Sequence, residues 1–403
     1  MKTKASSLSN VVLILCFCVF LAGIMLYTTF SPKETYSYYE NRNLSVMPEL
    51  TAEGLITGQW GANMDQYLSD HAAWRDDMLK ANTWISLYLL QQPLVNDVVV
   101  TEECLLPEIP EWMQGTYSIE ADTALITENL LSLSKLTERY GGHYYYVAVP
   151  CQYAFFNDQY PWYMNNREDY TAESLACLSA SLEQAGVNFI DIGEVFAREG
   201  WPAHLASAID NHSSIFGAYL TYLEIMQTLN ADTGLNLDIL REGDYEITEL
   251  PNPYLGSRTR KLLDLWPNKE RLGILTPNNP IHFTRKNNGT EVAATVYRIP
   301  KNETEDVLYN LYMGGDIALT EIDTDREDLP TILVYGDSFT NAVECMLYYG
   351  FNKMYSIDMR HYKASSLGEF ISTYQPDIVV CIRDYQALLT PTDNGCGAQS
   401  TGS

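Results

Sequence analysis

Positive charge is what this sequence has least of: 25 Lys and Arg stand against 52 Asp and Glu, a net charge of −27. The cations are scattered and form no basic stripe, so the chain repels phosphate backbones and nucleic acid is excluded as a partner. Paired cysteine spacing is lacking as well. No C-x-x-C occurs, and of the eight cysteines Cys16 and Cys18 lie in an apolar run, Cys177 and Cys345 in helical patterns and Cys381 in a strand pattern. These read as buried small hydrophobes rather than a disulfide framework. The histidines (His71, His143, His204, His212, His282 and His361) are isolated, with no H-x-H and no H-E-x-x-H, so neither a metal nor a cofactor is expected. No internal repeat stands out. What the chain does have is 46% hydrophobic residues with only 19% charged, the composition of a folded protein with an ample core rather than of an acidic disordered tail.

Charge is also missing from Ser6 to Ser31, where Val11–Tyr27 is apolar apart from one glycine. About 20 such residues span a bilayer as a helix. Lys2 and Lys4 precede the run, which by the positive-inside bias leaves residues 1–9 as a cytoplasmic tail, 10–30 as a transmembrane signal anchor and the rest of the chain extracytoplasmic. A cleaved signal peptide is the competing reading, but the run is long for one and no A-x-A site follows it. Leu15 before Cys16 argues against a lipoprotein.

Residues 31–96 read as a stalk ending in a helical pattern around Met64–Leu90. From about 123 the periods alternate. Ile126, Leu130, Leu133 and Tyr140 share a helical face, and the apolar run Tyr144–Val149 follows as a strand. Leu175, Leu178 and Leu182 then mark a helix ending at Gly186, before the strand Val187–Ile192. Phe216 to about Leu229 is helical again. The series closes with strands at Thr331–Tyr335, Met354–Ile357 and Asp377–Ile382, separated by helices carrying Val343, Met346 and Leu347, then Leu367, Phe370, Ile371 and Tyr374. Five apolar strands interleaved with amphipathic helices predict the α/β class, a parallel sheet covered on both faces that binds ligands at the strands' carboxyl ends. Residues 240–330 read as an insertion of short strands and loops within a domain spanning 97–392, and 393–403 as a frayed tail.

Gly336-Asp337-Ser338-Phe339 follows the best strand and precedes a helix. A serine at that turn presents its hydroxyl at the sheet's carboxyl edge, and a helix N-terminus offers N–H groups to an oxyanion. The same residues also make an ordinary helix cap. Asp210-Asn211-His212 precedes another helix; if extended, residues i and i+2 point the same way, so the carboxylate orients the imidazole. Taken singly, that tripeptide reads rather as a surface histidine beside a capping aspartate. Together the two segments supply nucleophile, base and orienting acid.

These motifs resemble known proteins. Gly336-Asp337-Ser338-Phe339 is similar to the nucleophile block of SGNH hydrolases, and Asp210-x-His212 upstream of it resembles the alginate O-acetyltransferase (AlgX/AlgJ-like) branch. The nearest likeness is to the bacterial DHHW family. Tyr39-Glu40-Asn41-Arg42 with Leu44 and Pro48, Tyr67-Leu68-Ser69-Asp70-His71 with Arg75, Val149-Pro150, Gly217-Ala218-Tyr219, Asn341 and Ile357-Asp358-x-Arg360 extend it over residues 37 to 390. The resemblance implies an SGNH-like three-layer sandwich with a mainly parallel sheet, Ser338 as nucleophile, His212 as general base, Asp210 as its orienting acid and Asn341 near the reacting acyl oxygen. The chain departs from the motif in reading Asp210-Asn211-His212-Ser213, without the second histidine or the tryptophan.

Arg360 and Arg383, read as lying just past strand ends, are candidates for an anionic sugar, with pairing to neighbouring carboxylates as the alternative. Asp70-His71 with Arg75 reads as a tie between stalk and core. The 29 tyrosines and 7 tryptophans suit a sugar-stacking groove, although most belong to core or interface. The resulting expectation is a membrane-anchored extracytoplasmic O-acetyltransferase acting on a cell-surface polysaccharide. The resemblance implies a membrane-bound O-acyltransferase as acetyl donor. The alternatives are a carbohydrate esterase with the same residues, a wall hydrolase, and a non-catalytic carbohydrate-binding or scaffold component of an export complex, which the altered D-N-H-S favours.

Overall fold

A computed structural model of the chain describes residues 2–40, 42–109 and 118–390, with side chains from residue 9 onward. Asn41, the side chains of Lys2 and Lys4, and the expected tail 393–403 lie outside the described residues. The chain divides into two compact units, residues 1–96 with 260–266, and 97–259 with 267–403.

The first unit begins with α1 (Lys2–Phe30), whose Ser9–Phe30 portion is apolar and long enough to cross a membrane and leaves its side chains unburied. A membrane anchor and a signal sequence both have this form. The helical pattern ending at Leu90 is two helices, α2 (Gln59–Asp70) and α3 (Arg75–Trp84), because Trp74 adopts a left-handed conformation with φ 54° between them. Asp70 is buried and accepts both nitrogens of Arg42 (2.6 and 3.0 Å) together with the Ser45 amide and hydroxyl. His71 meets the Ser45 carbonyl, and Arg75 pairs with Glu40 at 2.8 Å. These partners all belong to the first unit, so the Asp70-His71-Arg75 group closes that unit on itself, which corrects its reading as a tie to the core.

In the second unit the five expected strands form β1 (His143–Val149), β2 (Asn188–Asp191), β6 (Thr331–Gly336), β7 (Lys353–Asp358) and β8 (Ile378–Asp384). They pair in parallel in the order β7-β6-β8-β1-β2. The apolar runs of β1, β6, β7 and β8 are buried residue after residue, as strands covered on both faces must be, and Ile332–Tyr335 and Ile378–Ile382 have no exposed member; β2, at the sheet's edge, is exposed at Asn188 and half-buried at Phe189 and Asp191. Tyr144 and Tyr335 meet hydroxyl to hydroxyl inside this core at 2.6 Å, so neither buried O–H is left unpaired.

The covering helices fall into two groups. Within one, α4 (Ile119–Arg139) packs on α5 (Glu168–Ala185) and α8 (Leu367–Tyr374); within the other, α6 (Ile215–Thr233) packs on α7 (Asn341–Leu347). Ile126, Leu130 and Leu133 of α4 are buried as their spacing requires, whereas Tyr140 lies past the helix end and is exposed. Gly186 ends α5 with φ 73°, a left-handed cap that glycine adopts without a Cβ penalty.

The stretch 240–330 does more than interrupt the pattern. Its strands β3 (Thr284–Asn287), β4 (Thr290–Val292) and β5 (Leu319–Asp323) extend the central sheet beyond β7, all antiparallel, giving eight strands in the order β4-β3-β5-β7-β6-β8-β1-β2. The sheet is mixed and mainly parallel. The cysteines Cys104, Cys151, Cys345 and Cys381 are buried and free, and Cys177 is half-buried and free.

Candidate active site

Strand β6 delivers the serine. Its last residue, Gly336, faces Ile382 across the β6–β8 pairing, and a Cβ there would stand 2.2 Å from the Ile382 carbonyl oxygen. Only glycine permits that approach. A turn over Asp337–Thr340 follows before α7 starts, with the Thr340 and Asn341 amides donating to the carbonyls of Asp337 and Ser338. Those two N–H groups are therefore engaged by the turn. Asp337 is fixed from both sides: its carboxylate accepts the Phe339 amide at 2.9 Å and faces Arg383 at 3.1 Å.

The loop before α6 delivers the other two groups. Asp210 is 2% exposed and His212 7%, so neither is the surface residue that the tripeptide alone also permits. Asp210 Oδ1 lies 2.5 Å from His212 Nδ1, and His212 Nε2 lies 2.8 Å from Ser338 Oγ. With the proton on Nδ1, the imidazole donates to the carboxylate and accepts from the serine hydroxyl, the arrangement a general base requires. The second Asp210 oxygen accepts the Ser257 amide at 2.6 Å. Burial alone would push the Asp210 carboxyl up; the charge and hydrogen bond of His212, the Ser257 N–H and nearby Arg258 override it and hold the group well below the usual carboxylate range. Arg258 is itself oriented by Gln152, whose Oε1 accepts its Nε–H at 2.6 Å.

Two aromatic rings enclose the imidazole. Tyr309 lies flat on it, with ring centroids 3.6 Å apart and planes 4° from parallel, and Phe339 tilts against it at 4.9 Å. Sequence reading does not find Tyr309, since nothing in its local pattern connects it to a histidine 97 positions away. Ser213, at the position of the missing tryptophan, is buried with no partner for its hydroxyl. The aromatic ring against the imidazole comes instead from a different segment, as Tyr309.

The remaining candidates sit around this centre. Asn341 is buried at the start of α7, its amide 3.3 Å from Asp316. Arg360, two residues beyond β7, pairs with Asp358 at 2.6 Å and Asp316 at 2.9 Å, so its charge is matched by carboxylates. Arg383 is not past its strand: it lies within β8, 4% exposed, with Asp337 offsetting the cost of burying the guanidinium. Its neighbour Asp384 has its carboxyl pushed up to about 6 by burial, then by the charge of Asp337, against the opposing pull of Arg383. Asp316, Asp358 and His361 lie close enough to share a cation, but Arg360 stands between the two carboxylates.

No family model matches the sequence, and no curated protein does. Solved structures do match. Bacillus cereus PatB1 superimposes with a TM-score of 0.60 at 20% identity, over 72% of this chain and 96% of its own. The same protein with a sulfonyl adduct gives 0.59, also at 20% identity. A DHHW family protein from Eubacterium siraeum gives 0.53 at 15% identity, over 76% of this chain and 95% of its own. The likeness to the DHHW family that the motifs carry is therefore matched by a likeness of fold.

Proposed function

We propose that this chain is an SGNH-like acyltransferase, anchored by its N-terminal helix outside the cytoplasm, that moves an acetyl group onto hydroxyls of a cell-surface polysaccharide. The single observation that carries the reading is the unbroken line from Asp210 through His212 to Ser338, 2.5 and 2.8 Å per step, at the carboxyl edge of the sheet. The three-layer sandwich, the catalytic roles and the substrate class belong to this reading, as do the polysaccharide and a membrane-bound acyl donor as partners.

The chemistry follows from the geometry. His212 Nε2 takes the Ser338 proton as Oγ attacks the acyl carbonyl; the tetrahedral intermediate collapses, the donor's leaving group departs with that proton, and the acetyl remains as an ester on Ser338. A sugar hydroxyl then attacks the ester and surrenders its proton to His212, which returns it to Ser338 Oγ as the new ester leaves. Asp210 keeps Nδ1 protonated and stabilises the imidazolium in both halves. Asn341, three residues beyond the serine, is the side chain assigned to the acyl oxygen. Water in place of the sugar would make the same residues an esterase, and the buttress that Tyr309 gives His212 weighs against the non-catalytic alternative.

Because PatB1 was solved with a sulfonyl adduct, phenylmethylsulfonyl fluoride is a suitable probe. The full chain in detergent micelles should gain one adduct by intact mass, mapped to Ser338, with none on Ser338→Ala. Equal labelling of the two proteins would sink the proposal. Asp210→Asn should slow acetylation by p-nitrophenyl acetate by about 10³-fold or more, the scale seen when an orienting carboxylate is neutralised.

A further inference from the structure

The loop that carries Asp210 and His212 is held from several sides. Ala208 O accepts the Leu105 amide at 2.8 Å, Ile209 O accepts the Arg258 amide at 3.1 Å, and His212 O accepts the Ser207 amide at 3.1 Å. These ties join uncharged backbone groups. A charged one comes from Glu270, whose Oε2 accepts the Ala208 amide at 2.9 Å, with the Ser207 hydroxyl directed at its carboxylate while Ser207 Oγ accepts the Ile209 amide at 3.2 Å. Two consecutive residues thus meet one carboxylate, and the third is tied to it through Ser207, immediately before the Asp-x-His tripeptide. Glu270 is only half-buried, because it lines an open cleft of about 450 Å³ that the loop also lines through Ser207, Ala208 and Ser213.

We infer that Glu270 is a positioning residue: its ionised carboxylate sets the loop that aligns Asp210 and His212 with Ser338, and proton uptake through the cleft loosens that alignment. The inference rests on the triad reading above. A protonated carboxyl keeps one good acceptor oxygen where the carboxylate offers two, and its bonds to N–H groups are weaker. The switch falls in a usable range, since burial, reinforced by the Asp210 charge, pushes Glu270 up to about 7 against the pull of Ser207 and the Ala208 amide. Other groups face it. Lys269 and Arg271 flank it, while Glu103, Glu249 and His204 line the cleft and Tyr254 closes it.

The test uses the full chain in micelles and two readouts between pH 5.5 and 8.5. The rate of Ser338 labelling by phenylmethylsulfonyl fluoride should be lower in Glu270→Gln than in wild type at pH 8 by about tenfold, inside the loss that a misplacement of ~1 Å produces. The two should converge near pH 6. Hydrogen-exchange mass spectrometry should show the amides of 207–209 losing protection in wild type as pH falls through 7, after correction for intrinsic exchange, and already unprotected in Glu270→Gln. The melting temperature of Glu270→Gln at pH 8 should equal or exceed that of wild type, because a half-buried charge whose ionisation folding disfavours has been removed. Equal rates together with equal protection at pH 8 would overturn the inference. Absence of labelling in wild type would sink the triad reading alone, and the exchange readout would still decide whether Glu270 holds the loop.

Discussion

At the scale of single residues, the notable feature is that His212 keeps an aromatic wall although the motif has lost its tryptophan. A flat ring 3.6 Å away restricts the imidazole to one plane, and that plane contains both Asp210 and Ser338. Tyr309→Ala should therefore lower kcat for p-nitrophenyl acetate hydrolysis by about tenfold with little change in KM, since misorientation of a base costs up to ~100-fold per ångström. Tyr309→Phe, which keeps the ring, should retain most activity; if it proves as damaging as Tyr309→Ala, the hydroxyl and not the stacking is what matters. Ser213 gives the opposite expectation. Its hydroxyl is buried and unpartnered, a state that costs about 1–3 kcal/mol, so Ser213→Ala should leave the melting temperature unchanged or raise it.

At the scale of elements, legibility follows burial. Four of the five parallel strands could be read because they are buried on both faces, which leaves an apolar run in the sequence, while the edge strand β2 was read from its shorter apolar pattern. Strands β3 to β5 could not, because they lie at the sheet's antiparallel end, where β3 and β5 alternate buried with more open positions and β4 is exposed throughout. Arg285 shows why: it occupies a strand position and is buried, yet its guanidinium is satisfied by the carbonyls of Thr295 and Met313 and by Asn287, so a core residue reads as a polar loop. Asp210, His212 and Ser338 were legible because two short motifs fall at element boundaries, while Tyr309 depends on a long-range approach that no local pattern encodes. The β6–Ser338 junction makes the dependence on backbone testable. Gly336→Ala places a methyl against the Ile382 carbonyl, and overpacking of that kind costs typically about 1–3 kcal/mol. Denaturant unfolding should show that loss, and Ser338 labelling should fall further than stability, because the strand that shifts is the one presenting the nucleophile.

At the scale of the whole molecule, the excess of acid divides into groups that folding favours ionised and groups that it favours neutral. Asp210 and Asp70 belong to the first: their carboxyls are held down in the folded state, Asp210 as described and Asp70 chiefly by its hydrogen bonds from Arg42. The stability they contribute is present above the unfolded carboxylate range and is lost as pH falls below it. Asp384 and Glu270 belong to the second, raised to about 6 and about 7 by burial. Their contribution is complete below their unfolded values and declines as pH rises through 4 to 7, by about 3 kcal/mol each at 1.36 kcal/mol per unit. The two tendencies cross near pH 5, so thermal unfolding of the full chain in micelles should be most resistant there and should weaken toward pH 8. Asp384→Asn and Glu270→Gln should each flatten the alkaline side of that curve, and the double variant should flatten it further. A melting temperature in wild type that climbs steadily from pH 5 to 8 would mean that these two carboxyls ionise in the folded protein as freely as they do in the unfolded chain.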